Sequence, residues 1–525
     1  MVGENSFAEA VRSRTGEFFD PAVRWQRALW NTGLTLSLKE ILEAGDAVRE
    51  GALHPAALKW LANSVHGMIS GDPGSGSENE RKALGVILTR DLSSGGVGYF
   101  ELGHWTQTVE ASYLSRWAKA VTAEQRPSRE QTARALASHL LDLGFSSKWL
   151  RHWLRELEAE TAAEIFEKAD ELVQRGKSTF ELMLLFDKPP PARIAKPEEW
   201  RDAVAVSKWL RENGHKPDRQ HGGLLLHIEA WDSGAAADQA ADVVDRLLAR
   251  VRVGTRESIE MRRHAHLGGD SGAALDGDPG VVLDLKRTRR AEVRALEREK
   301  RLLELKRTGP VDDALELLSH IIDAPAPVAV AGGWSAVESL LSGPGDETKG
   351  VTAERLGYLV ACSWPRAELT TLAWLRQKDS VDDELSKGLA SCSTNRERAQ
   401  LLLDQIAMGN NLEFENPQDG MAARRIEKLA TTPRQKLEAV QRSAETSLRR
   451  LYRQRNLVVH GGQVHGIALA AALRTASPLV GAGLDRITHA FLTRGISPLQ
   501  LAAQAQMEVA RTGSAGAPSL TSMLE

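Results

Sequence analysis

The chain has 525 residues, too many for one hydrophobic core, and its 42% hydrophobic and 26% charged content is that of an ordinary globular protein of several domains. A formal net charge of −3 supplies no global basic surplus, so any nucleic-acid surface has to be a local patch. Two cysteines, Cys362 and Cys392, exclude a disulfide framework and a four-cysteine zinc site, and make the cytoplasm the expected compartment.

Met1-Val2-Gly3-Glu4-Asn5-Ser6 carries an early acid and no apolar run, so no secretory signal is expected there. Residues 1–170 read as an N-terminal helical domain. Trp25, Leu29 and Trp30, and then Leu140, Leu141, Leu150, Trp153, Leu154 and Leu157, recur at helical spacing. The tryptophans read as core rather than as base-stacking platforms. Gly144 reads as a helix stop and Ser146 or Ser147 as the next cap, whereas residues 71–77 read as a surface loop.

Near residue 177 the pattern changes. Residues 179–186 (TFELMLLF) form a strand candidate that Pro189, Pro190 and Pro191 end. In residues 224–231 the positions Leu224, Leu226, Ile228 and Ala230 alternate with Leu225, His227, Glu229 and Trp231, the period of a second strand. A helix over about 235–250 completes a small α/β module, residues 171–255. Residues 256–310 read as linker and charged helix. His264 and His266 read as a loop pair without a third metal ligand, and 268–280 as a Gly/Asp-rich connector. Residues 286–307 carry ten Lys/Arg against four Glu and read as a solvated connector helix. The chain is helical again over 311–511, and 512–525 reads as a flexible tail. The expected fold class is mainly α and multidomain, with the α/β module in the middle and a C-terminal helical bundle. The longest apolar tract, 467–473, is too short to span a membrane. Phosphate-loop, dinucleotide and nucleophile-elbow motifs are missing, so neither cofactor nor metal is expected.

The helix expected over residues 432–460 carries an apolar stripe through Leu437, Val440, Ala444, Leu448 and Leu451. Its continuation falls on Arg455 and Val458. An arginine on a buried face either pairs with a carboxylate or faces a polar cleft or a subunit interface. His460 ends the helix, because Gly461-Gly462 follows, and a helix C-terminus suits an acid/base imidazole. At about 100° per residue, Arg455 and His460 lie about 140° apart on an ideal helix, whereas Asn456 and His460 share a face. Either the helix unwinds before His460 or the site is assembled across two copies. Cleaving RNA with its own 2′-hydroxyl needs a base, an acid and positive charge on the phosphorane, and no metal. A two-fold dimer supplies two histidines and two arginines. Arg449, Arg450 and Arg453 are candidates to steer the phosphate backbone as RNA-binding residues.

Arg455-Asn456-Leu457-Val458-Val459-His460 followed by Gly461-Gly462, and preceded by Leu451-Tyr452-Arg453, resembles the R-x4-H signature of HEPN domains, especially the Apea-like group. Upstream, Gly333-Trp334-Ser335-Ala336-Val337-Glu338-Ser339-Leu340-Leu341 resembles an early helix of that group, with Glu338 as the carboxylate that would pair with Arg455. The resemblance covers about residues 311–511. It implies a HEPN-like helical bundle, a homodimer, and a metal-independent RNA endonuclease. His460 would be the acid/base, Arg455 the phosphate stabiliser, and Asn456 the residue that orients either the histidine or the phosphate. It further implies a toxin or antiviral defence effector that answers a phage or host trigger, with the N-terminal regions as sensor or regulator. Some HEPN domains only bind nucleotides or partners, so the resemblance equally admits a non-catalytic scaffold for RNA, nucleotide or protein.

Overall fold

The computed structural model describes residues 2–191, 194–255, 259–269, 280–287, 289–306, 309–348, 350–379, 383–410 and 412–525. The protein is mainly α-helical, with one small antiparallel sheet in the middle of the chain. Among the described residues no helix is long and apolar enough to cross a membrane.

The N-terminal helices are α1 (Val2–Phe18), α2 (Leu34–Arg49), α3 (Pro55–Ile69), α4 (Glu78–Ile87), α5 (Val97–Val121), α6 (Arg129–Leu143), α7 (Ser147–Glu156) and α8 (Ala162–Gln174). Local chemistry sets their ends. Ser77 with Glu80 and Ser128 with Gln131 form reciprocal capping boxes at α4 and α6. Gly144 closes α6 at φ +101°, where a side chain would be strained, and the Ser146 side chain caps α7. The expected surface loop at 71–77 is partly internal: Gly74 and Ser75 are buried, and Asp72 accepts from Tyr113 Oη (2.9 Å) and Trp117 Nε1 (2.9 Å).

The sheet is larger than the sequence suggests. Its strands β1 (Ser178–Phe186), β2 (Trp200–Arg201), β3 (Gly223–Ala230), β4 (Met261–Leu267) and β5 (Val282–Asp284) lie in the order β2-β3-β1-β4-β5, every pair antiparallel. Helix α9 (Ala203–Glu212) covers one face through Val206 and Leu210 against Met183 and Leu185. Helix α10 (Ser233–Gly254) covers the other through Ala236, Ala240 and Val244. The module therefore continues past the expected boundary at 255, and His264 and His266 belong to β4 rather than to a loop. Their strand was hidden because its face carries Arg262, His264 and His266 instead of apolar residues.

The cationic segment is not a long helix. Among its described residues only Ala295–Arg298 is helical (α11); the stretch around Arg289 to Glu299 is tied to its neighbours, whereas residues 301–306 are exposed. Arg289 donates to the carbonyls of Ile321 (3.2 Å) and Ala324 (2.9 Å), and the Ala295 N–H donates to Asp485 (2.6 Å). Tertiary contacts outweigh the helix propensity of its Lys, Arg, Glu and Leu residues.

The C-terminal helices are α12 (Pro310–Asp323), α13 (Ala326–Leu341), α14 (Gly350–Lys378), α15 (Glu384–Ser391), α16 (Asn395–Ala407), α17 (Pro417–Thr431), α18 (Pro433–Val459), α19 (Leu469–Arg494) and α20 (Pro498–Arg511). Their core gathers Trp334, Leu356, Leu359, Leu448, Leu451, Leu479 and Leu484. The expected flexible tail is docked into it. Leu524 is fully buried, its N–H donates to Glu508 (2.8 Å), and Arg486 and Arg494 both donate to its carbonyl.

The two helical regions interlock. Ala28 and Trp30 of the N-terminal region lie in the C-terminal core, and Leu457 of α18 lies in the N-terminal core. A buried ionic seam runs between them. Arg27 pairs with Glu368 (2.6 Å), Asp419 (2.5 Å) and Glu17 (3.4 Å), and Arg14 pairs with Glu130 (2.9 Å) and Glu17. The two regions keep distinct cores, and each core takes residues from across the expected boundaries at 170 and 311.

Candidate functional site around Arg455 and His460

Helix α18 carries the constellation. Leu437, Ala444, Leu448 and Leu451 are fully buried, as the stripe requires, and the helix runs to Val459. His460 is its C-cap, with its N–H on the Asn456 carbonyl (2.8 Å). The chain then turns. Gly461 N–H reaches Leu457 O (3.1 Å), Gly462 takes φ +62°, and Gln463 N–H returns to Leu457 O (3.0 Å).

His460 keeps a helical backbone at the C-cap, and the long arginine side chain reaches round to its imidazole. Arg455 Nη1 donates to His460 Nε2 (3.0 Å) and to Asn456 Oδ1 (3.1 Å). A guanidinium has no acceptor, so Nε2 offers its lone pair and the neutral ring carries its hydrogen on Nδ1. One chain therefore brings Arg455, Asn456 and His460 together, without unwinding the helix and without a second copy. Asn456 is buried, Arg455 partly buried, and His460 exposed, with Val459, Val464 and Ile467 about half exposed beside it in sequence. His465 is exposed in the same loop.

The other expected residues are placed differently. Arg450 and Arg453 are 2% and 4% exposed and face α2. Arg450 Nε donates to both Glu40 oxygens (2.9 and 2.8 Å), and Arg453 Nη2 donates to one of them (3.3 Å). Burial pulls the Arg453 guanidinium below its usual value, and Glu40 opposes that shift. Neither guanidinium is open to a phosphate in this arrangement, which corrects their assignment as steering residues. Arg449 is partly buried, donates to Glu445 (2.6 Å) and lies over the Trp60 ring (4.7 Å). Glu338 accepts from Trp334 Nε1 (3.0 Å), and Trp334 packs on Tyr452. The guanidinium of Arg455 goes to Asn456 and His460, an amide and an imidazole in place of the expected carboxylate.

Residues of the N-terminal region that sequence reasoning missed complete the surroundings. Glu43 of α2 accepts from Gln454 Nε2 (3.1 Å) and from the Ile467 N–H (2.8 Å), and Glu50 accepts from Gln463 Nε2 (3.1 Å). Burial raises the Glu43 carboxyl, and its bonds from Ile467 and Gln454 oppose the rise. Gly461 packs against Ala52, and a Cβ there would lie 2.8 Å from Leu457 O. The signal for these contacts was the acidic stripe Glu40, Glu43 and Glu50 along one helix.

Elsewhere, the sheet carries a surface cleft of about 710 Å³ lined by Asp187, Arg262, His264, Asp284 and Lys286. Beside it, His266 Nδ1 meets His215 Nδ1 (3.2 Å), and His215 Nε2 bonds Leu267 O (2.8 Å). Burial, followed by His215, His264 and Arg262, lowers His266 to about 4. Among the described residues no group of three or more His, Cys, Asp or Glu is arranged to hold a metal ion. No family model, no curated protein and no solved structure matches the chain.

Proposed function

We propose that the chain is a metal-independent RNA endonuclease of HEPN type, with His460 as acid/base, Arg455 as phosphate stabiliser and Asn456 as the residue that holds Arg455. The observation that carries this reading is the hydrogen bond from Arg455 to His460 on an exposed helix end, with Asn456 on the same guanidinium nitrogen. An arriving phosphodiester competes for the guanidinium and, by drawing it away, frees the Nε2 lone pair to take the proton of a 2′-hydroxyl. A second copy would supply the imidazole that protonates the leaving oxygen, so a homodimer belongs to the proposal. The wider role, as a toxin or antiviral defence effector in the cytoplasm that answers a phage or host trigger, rests on the motif's resemblance alone.

The test is RNA cleavage by purified full-length protein in EDTA beside Arg455→Ala and His460→Ala. The expected result is a 2′,3′-cyclic phosphate product that both substitutions abolish. Cleavage that survives both substitutions overturns the assignment. The second reading, a non-catalytic scaffold that binds RNA, nucleotide or protein, is favoured by the burial of Arg450 and Arg453, which leaves less cationic surface for a phosphate chain. RNA or nucleotide binding without cleavage would select it.

A further inference from the structure

The residues that flank the site in sequence are tied together by one side chain from another part of the fold. Gln454 immediately precedes Arg455, and Ile467 ends the loop that leaves His460. Both donate to opposite oxygens of the Glu43 carboxylate, at 3.1 and 2.8 Å. Gly466 lies beside them, and a Cβ there would crowd the Gln454 amide oxygen and lie 3.3 Å from Glu43 Oε1. Leu457, on the turn between Arg455 and His460, is held in the N-terminal core at 1% exposure. Glu50 adds a second tie through Gln463. His460 itself is exposed, and the contact that orders its ring is the bond from Arg455. The backbone from Arg455 to His460 is fixed by α18, and what Glu43 fixes is how the loop after His460 lies against the helical turn before Arg455, which bounds the space open to the exposed ring.

We propose that Glu43, although it lies on α2 of the N-terminal region, is a positioning residue of the Arg455–His460 site. By clasping Gln454 and Ile467 together, its carboxylate holds the loop that follows His460 in place and so keeps the imidazole in the rotamer that meets Arg455. This rests on the reading of Arg455 and His460 as the functional pair. It makes the N-terminal region a component of the site rather than only a regulator beside it. A carboxylate suits the task because each oxygen accepts one bond, and the two donors lie on separate stretches of chain.

The experiment uses the full chain with isotope-labelled histidine, His460 being assigned by its loss in His460→Gln. Long-range proton–nitrogen correlation, at a pH where the imidazole is neutral, reports which ring nitrogen carries the hydrogen. Wild type is expected to show the single Nδ1–H tautomer that the bond from Arg455 requires. Glu43→Ala is expected to show the mixed tautomers of a released ring, and Glu43→Gln, whose amide oxygen still accepts from Ile467, to retain more of the wild-type pattern. If Glu43→Ala does not fold, Glu43→Asp replaces it, because the shorter acid cannot span both donors. In RNA cleavage the released variants should lose about 100-fold in kcat with little change in KM, the scale of a misplacement near 1 Å. A folded Glu43→Ala or Glu43→Asp whose His460 tautomer matches wild type overturns the proposal. RNA cleavage decides the nuclease reading, and the tautomer decides the role of Glu43 whether or not RNA is cut.

Discussion

Replacing Glu40 by alanine tests how firmly the N-terminal region is joined to α18. Glu40 is 2% exposed and is the shared acceptor for two buried guanidiniums, with two bonds from Arg450 and one from Arg453. Arg450 Nη1 already lacks a hydrogen-bond partner, and removing Glu40 would also take the acceptor of its Nε. Breaking one buried ion pair by removing a partner costs about 3–5 kcal/mol, because the remaining charge stays desolvated. Two cations depend on Glu40, which places Glu40→Ala at the upper end, about 5 kcal/mol, a large part of the total stability of an ordinary domain. Urea unfolding followed by circular dichroism should show a marked fall in the midpoint, or a chain that does not fold at all. The triple replacement Glu40→Leu, Arg450→Met, Arg453→Leu removes all three charges together and should cost much less than Glu40→Ala, since no buried ion is left unpaired. A loss below about 1 kcal/mol for Glu40→Ala, or a triple variant as damaged as the single one, would refute the electrostatic account of this junction.

Burial raises the Asp72 carboxyl to about 6, so the folded state holds a proton that the unfolded state releases near pH 3.8. This group makes stability fall as pH rises from about 3.8 to 6, by up to about 3 kcal/mol, and Asp72→Asn should remove that component in urea unfolding series. His139 acts in the opposite sense. Burial lowers it to about 3, so its contribution is complete above pH 6.5 and is lost as pH falls toward 3, a slope that His139→Phe should flatten. Leu457→Ala opens a hole in the N-terminal core from a residue of α18 and should cost about 2–5 kcal/mol in thermal or urea unfolding. Leu524→Asp places a charge where a fully buried leucine sits and should destabilise the C-terminal core, whereas a truly free tail would tolerate it.

Helices with clean periodicity were legible in the sequence. The stripe from Leu437 to Leu451, the glycine stop after His460 and the Gly144–Ser146 boundary all appear where the pattern places them. Strands β1 and β3 were legible for the same reason, as apolar runs bounded by breakers. Strand β4 was not, because one face carries Arg262, His264 and His266. The cationic segment misled through local propensity, which its contacts with α12 and α19 overrule. The site was legible as a set of residues but not as a geometry. An ideal helix sets Arg455 and His460 on different faces, and it is the reach of the arginine side chain to a ring at the helix end that brings them together. That Arg450 and Arg453 would be consumed by Glu40, 410 and 413 residues away in the chain, is a long-range fact that no local pattern contains.

The exchange of residues between the two cores orders events during synthesis. The helices up to Gln174 emerge from the ribosome before α18, and until then their core lacks Leu457, and the charges of α2 lack Arg450 and Arg453. At roughly 5–20 residues per second, the wait for α18 is on the order of 15–60 s. Over that interval Glu40 and Glu43 remain hydrated and the early helices stay short of their final packing. Arg455 and His460 are made after the helices they dock on, and their helix helps to finish that scaffold. The arrangement delays assembly of the candidate site until α18 has been made and can dock on the helices that precede it.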